Sequence, residues 1–111
     1  MINPLISICI PVYNRNLHLD NCLNSIKISQ ENFSLDFEVC ISDNFSDEDP
    51  IKIINKYQRH FKINYNRNLS NKGLGVNILK SVSLAKGEFI WIIGSDDLFL
   101  PITFKKLNFY L

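Results

Sequence analysis

The sequence predicts an open α/β fold built on a mostly parallel sheet, and three observations carry that prediction. Strand-like and helix-like stretches alternate along the chain, the pattern of a parallel sheet with right-handed crossovers. Two strand-like stretches, Leu5 to Val12 and Glu88 to Ile93, are almost wholly apolar, as strands buried on both faces of such a sheet are. The strand-like runs end in polar or acidic residues, which a parallel sheet gathers at its carboxyl edge, where open α/β folds bind ligands.

Length and composition bound the rest. A chain of 111 residues is one domain and buries roughly two thirds of its unfolded surface. A hydrophobic content of 46% and a net charge of +1 fit a soluble globular protein and imply no nucleic-acid partner. Met1-Ile2-Asn3-Pro4 lacks the basic start of a secretory signal, and no apolar run approaches the ~20 residues of a membrane span, so a cytoplasmic protein is expected. Cys9, Cys22 and Cys40 are odd in number and sit among apolar residues, which favours buried thiols over disulfides or zinc.

Taken in order, the first strand runs from Leu5 to Val12. Pro11 cannot donate to a ladder, so pairing is expected to fail on at least one side there, leaving Pro11 to Tyr13 free to face a ligand. Leu19, Cys22, Leu23 and Ile26 give the first helix one apolar face, with Asn16 as its N-cap. Phe37 to Ser42 is the second strand and delivers Asp43 to its end. Ser46, Asp49 and Pro50 read as a helix start, and Ile54, Tyr57 and Phe61 as the buried stripe that follows.

Ile63 to Asn66 is a short third strand. A polar loop from Arg67 leads to a third helix whose buried positions are expected at Leu74, Ile78, Val82 and Ala85, closed by Lys86 and Gly87. Gly87 and Gly94 bound the fourth strand. Pro101 opens a further amphipathic stretch that reaches Leu111 without a stop signal, so the chain reads as the first part of a larger domain.

The fourth strand ends in Ser95-Asp96-Asp97. Adjacent ionised carboxylates are best tolerated beside a cation, so a divalent metal site is the simplest reading. A cap for the helix after Pro101, or a solvated turn, is the alternative. With strand order 3-2-1-4, the exits carrying Tyr13, Asp43 and Asp96-Asp97 fall on one crevice, which strengthens the metal reading. A dinucleotide site is excluded because no Gly-x-Gly-x-x-Gly follows the first strand, and a phosphate-loop ATPase because its Gly-x-x-x-x-Gly-Lys-[Ser/Thr] is missing.

Four segments together carry a family resemblance: Ile10-Pro11-Val12-Tyr13-Asn14-Arg15, Ser42-Asp43-Asn44-Phe45-Ser46-Asp47, Asn71-Lys72-Gly73-Leu74-Gly75-Val76-Asn77, and Gly87 to Asp97 with Pro101. In that order and spacing they resemble the amino-terminal half of a family 2 glycosyltransferase of the Rossmann-like GT-A fold. The resemblance implies that residues 1–111 are the nucleotide-sugar-binding part, with the acceptor half not present. It implies transfer from a UDP-linked or similar nucleotide sugar to a glycan or lipid-linked acceptor, with inversion, in surface polysaccharide synthesis.

By the same resemblance Pro11 and Tyr13 line the base, Asp43 meets the base edge and Arg67 reaches the nucleotide. Asp96 and Asp97 hold ribose and a Mg²⁺ or Mn²⁺ that neutralises charge on the departing diphosphate. The catalytic base is expected beyond Leu111. The resemblance also implies peripheral association with the inner face of the cell membrane.

Two positions depart from the family pattern: Gly94 stands where many members have an acid, and Ser42 likewise, which leaves Asp43 alone there. A sugar nucleotidyltransferase, which would need a Gly-rich basic loop after the first strand, and a Mg²⁺-binding receiver-type signalling domain, which would need acids there, are the rival readings. Trp91 reads as core, His18 and His60 as solvated, and Lys105-Lys106 as a solvated face, with contact to anionic lipid as its alternative.

Overall fold

A computed structural model describes residues 3–111; Met1 and Ile2, part of the start read above as lacking a secretory signal, lie outside the described residues. Eight elements alternate: β1 (Ile6–Val12), α1 (Asn16–Asn32), β2 (Phe37–Asp43), α2 (Ile51–Tyr57), β3 (Ile63–Arg67), α3 (Leu74–Ser83), β4 (Phe89–Ile92) and α4 (Thr103–Tyr110). The strands form one sheet in the predicted order β3-β2-β1-β4, parallel throughout. Among the described residues no helix is long and apolar enough to cross a membrane.

Strand alternation gives the sheet two unlike faces. Ile6, Ile8, Ile10 and Val12 point with Val39 and Ile41 into the main core, where Leu19, Cys22, Leu23 and Ile26 of α1 meet them as expected. Each such side chain contributes roughly 1.5–3 kcal/mol by leaving water. Ile54, Tyr57 and Phe61 extend the core on one side, and Phe104 of α4 closes it on the other, edge-on to Phe37 at 4.8 Å between ring centres. Ser25 and Ser29 of α1 accept the N–H groups of Phe99 and Phe104, which ties the segment after β4 to the first helix.

The opposite face is polar. Glu38 is fully buried there and accepts hydrogen bonds from Ser7 Oγ (2.6 Å), Asn64 Nδ2 (2.8 Å) and the Lys86 N–H (2.7 Å). This corrects the expected face of α3. The helix buries Asn77 and Ser81, while Leu74 is exposed and Ile78, Val82 and Ala85 are half-buried. The reason is that Asn77 Nδ2 donates to Ser42 O at 2.9 Å, which turns the helix about one position away from the orientation its apolar residues favour.

Four more expectations are corrected. β4 is not buried on both faces: it pairs with β1 alone, stands at the sheet edge, and leaves Phe89, Ile90 and Ile92 about half exposed. Gly87 does not close α3, which ends at Ser83; a Cβ there would stand 2.6 Å from Ser7 Oγ and 2.7 Å from Ser7 N, so glycine is needed for the approach to β1. Asn16 lies inside α1, after Arg15, and donates to Glu48 O at 3.0 Å instead of capping. Ser46 does not start α2 because Asp43 draws its hydroxyl away, and Asp49 accepts the Ile51 N–H at 3.0 Å.

Candidate functional site

The carboxyl edge of the sheet is built by register. Pro11 pairs with Ser42 and Val12 with Asp43, and beyond them the Asn44 N–H donates to Val12 O and the Asn68 N–H to Asp43 O, both at 2.8 Å. On the other side the pairing of β1 with β4 begins at Ile6 and Phe89 and reaches only as far as Cys9 and Ile92, with one more bond from the Ile93 N–H to Cys9 O. Pairing on that side has therefore ended before Pro11, as its missing N–H predicts. The exits of β2 and β4 flank that of β1, about 10 Å apart across the sheet.

At the β2 exit Asp43 is 0% exposed. It accepts Ser46 Oγ at 2.5 Å, the Ser46 N–H at 3.0 Å and Arg67 Nη1 at 3.0 Å. Arg67, the last residue of β3, also donates to Ser46 O at 2.9 Å, and its guanidinium lies 5.3 Å from the centre of the Phe45 ring. The β1 exit is stitched to this loop. The Asn14 N–H donates to Ser46 Oγ and Asn14 Oδ1 accepts the Asp47 N–H, each at 2.8 Å.

Asn14 and Phe45 both adopt left-handed backbone, at φ 51 and 65, a conformation that costs a non-glycine residue free energy and persists only where surrounding contacts enforce it. Tyr13 and Phe45 consequently sit with their rings half exposed, at 45% and 49%, on neighbouring exits. Phe45 was missed by sequence reasoning, which saw only a turn.

Sequence reasoning also missed an asparagine cluster behind the site. Asn68 Nδ2 donates at 3.0 Å to both Asn44 Oδ1 and Asn77 Oδ1, and Asn44 Nδ2 donates at 2.8 Å to Asn71 Oδ1. Asn44 Oδ1 accepts the Lys72 N–H at 2.9 Å. The exits of β1, β2 and β3 and the start of α3 thus form one hydrogen-bonded unit. The signal was present as the recurrence of asparagine around the strand exits, at Asn44, Asn68, Asn71 and Asn77, whose side-chain amides can bond to one another.

At the β4 exit Asp96 and Asp97 are exposed, on a turn in which Asp97 Oδ2 accepts the Gly94 N–H at 2.7 Å. A Cβ on Gly94 would stand 2.9 Å from Asp96 Oδ1 and 3.4 Å from Asp97 Oδ2. Both carboxylates therefore lean over this glycine, where a side chain would crowd their oxygens. Their charges also reach Cys22 of α1, whose thiol is pushed up to about 12, by burial first and then by Asp97 and Asp96.

Neither carboxylate has a cationic partner within 4.0 Å among the described residues. Two hard oxygen donors side by side fit a small divalent cation such as Mg²⁺ or Mn²⁺. Among the described residues no cluster of three or more His, Cys, Asp or Glu completes a metal cage, so a cation held here would need ligands from beyond these residues. Phosphate oxygens meet that need. The structure thus gathers Pro11, Tyr13, Asp43 and Arg67 on adjoining exits, with Asp96 and Asp97 on the far side of β1.

Comparison with known proteins agrees with the fold. A family model described as glycosyl transferase family 2 matches residues 7–110. The abequosyltransferase RfbV of Salmonella typhimurium is 47% identical over 109 residues, covering 96% of this chain and 32% of its own length. The crystal structure of S. aureus TarS 1-349 superposes with a TM-score of 0.82 at 25% identity, covering 96% of this chain and 32% of that one. Its complex with UDP-GlcNAc gives a TM-score of 0.81 at 25% identity, with 96% and 30% covered. The chain spans about a third of the length of these relatives.

Proposed function

From the premise that the chain belongs to glycosyl transferase family 2 and has its GT-A fold, we propose that it is the donor-binding part of a glycosyltransferase. The enzyme takes a sugar from a nucleotide diphosphate sugar, UDP-linked in our reading, and passes it with inversion to a glycan or lipid-linked acceptor during surface polysaccharide synthesis. The observation that carries this reading is the pair of exposed carboxylates over Gly94, at the same sheet edge as the Asp43 and Arg67 cluster. The binding of UDP-GlcNAc by the structurally similar TarS supports the choice of nucleotide.

In this reading Pro11 and Tyr13 line the base, and the exposed Tyr13 ring offers a stacking surface. Asp43 has three donors already, so one lone-pair direction remains for the edge of a base, and neighbouring atoms must part to admit it. Arg67, held by Asp43 and the Ser46 carbonyl, places positive charge beside the nucleotide.

Asp96 takes the ribose, and Asp97 with Asp96 holds Mg²⁺ or Mn²⁺ against the diphosphate. When bound, the cation neutralises charge on the leaving diphosphate, an effect worth several kcal/mol. The residues of this chain bind and orient the donor. The group that deprotonates the acceptor belongs to the larger enzyme.

Calorimetry with UDP and Mn²⁺ tests this. Heat of binding that disappears in Asp97→Ala is the expected result. No heat at millimolar nucleotide, or heat indifferent to that substitution, counts against the proposal.

A further inference from the structure

Phe45 carries a side chain that does not suit its backbone. Among the described residues three have positive φ: Asn14, Phe45 and Gly73. Asparagine and glycine adopt such angles readily, whereas a bulky ring at φ 65 is an outlier that surrounding contacts must enforce. The contacts are there. On one side Asn44 is held by Asn71, Asn68 and the Lys72 N–H, and on the other Ser46 is held by Asp43 and Asn14.

This clamp fixes the backbone and would accept glycine, so it does not account for the ring. Core packing does not account for it either: the ring lies outside the hydrophobic core, with the Arg67 guanidinium over it at 5.3 Å from its centre. Arg67 is itself already held by Asp43 and Ser46 O. It needs no ring to fix it.

Register gives the ring a counterpart. Tyr13 lies between Val12, whose carbonyl accepts the Asn44 N–H at 2.8 Å, and Asn14, whose N–H donates to Ser46 Oγ at 2.8 Å. Phe45 lies between the partners of those same two bonds, so the two aromatic residues hold matching places on the neighbouring exits of β1 and β2. Asp43, in register with Val12, stands just before them.

We propose that Phe45 is a nucleotide-contacting residue: the base that meets Asp43 at its edge stacks on the Phe45 ring, with Arg67 on the ring's other face. An aromatic ring takes the flat face of any base. The strained backbone then serves to aim a ring at the site, and strain of this kind collects at ligand-binding loops. The assignment rests on the donor reading above and adds a residue to it.

Calorimetry of the wild type, Phe45→Gly, Phe45→Tyr and Asp97→Ala, with Mn²⁺ and either UDP or base-free inorganic pyrophosphate, is the test, beside urea unfolding of each. Phe45→Gly should weaken UDP roughly tenfold and leave pyrophosphate unchanged, while Phe45→Tyr keeps UDP near the wild type. The urea midpoint of Phe45→Gly should hold or rise, since glycine takes left-handed backbone without strain.

UDP binding unchanged in Phe45→Gly overturns the proposal and would fit a ring covered by another segment of a longer chain. So does an equal loss of UDP and pyrophosphate, which would make the ring a support for Arg67 or for the fold. UDP heat that needs Asp97 and not Phe45 sinks this inference alone; no UDP heat in the wild type sinks the donor reading and this contact with it.

Discussion

Glu38 shows how one buried residue ties local chemistry to stability. Burial pushes its carboxyl up, but hydrogen bonds from Ser7, the Lys86 N–H and Asn64 together outweigh it and hold the group below its ordinary value. A carboxylate depressed in the folded state stabilises fully above its unfolded pKa of about 4.3, and the contribution is lost as pH falls through the folded value. The urea midpoint should therefore drop in acid below about pH 4, and more shallowly in Glu38→Gln. Parallel acid profiles for the two proteins would refute this. Asp43 and Asp97 are placed in opposite ways: the first is buried and held by three donors, the second is exposed and accepts the Gly94 N–H.

The elements differ in how plainly their sequences announce them. The buried face of α1 was legible because its partner surface on β1 and β2 is apolar, so periodicity and burial coincide. α3 was legible as a helix but not in its orientation, because it packs on a polar face where hydrogen bonds outrank apolar area. Two glycines, one inside the first turn of α3 and one beyond its end, make a test. Gly87→Ala should destabilise by about 1–3 kcal/mol through the clash with β1. Gly75→Ala, inside α3 with nothing within 4 Å of the new methyl, should stabilise by about 0.5–1 kcal/mol. Chemical denaturation of both variants reads the difference, and equal effects would contradict the close approach of residue 87 to Ser7.

At the scale of the whole molecule, the asymmetry of the sheet dominates. β1 and β2 are central and buried, β3 forms one edge with a mostly polar sequence, and β4 forms the other edge with the apolar Ile90 and Ile92 half exposed, near the half-buried Ile78 and Val82 of α3. An apolar edge of this kind invites self-association. The 111-residue chain is therefore expected to associate with rising concentration in light scattering. Ile92→Lys, which places a charge on that edge, should suppress the association with little change in the unfolding midpoint. Undiminished association would place the sticky surface elsewhere.

The sequence by itself determined the strand order, the parallel sheet, the main core and the residues at its carboxyl edge. All of these follow from periodicity, chain alternation and the handedness of crossovers, which are local or near-local properties. Only the tertiary structure decided that Glu38, Asn77 and Ser81 are interior, that Phe89, Ile90 and Ile92 of β4 are half exposed, that Gly87 and Gly94 are small for the sake of Ser7 and of two carboxylates, and that Phe45 stands beside Arg67. Those outcomes depend on partners far away in the chain, whose hydrogen bonds and close contacts no sequence period records.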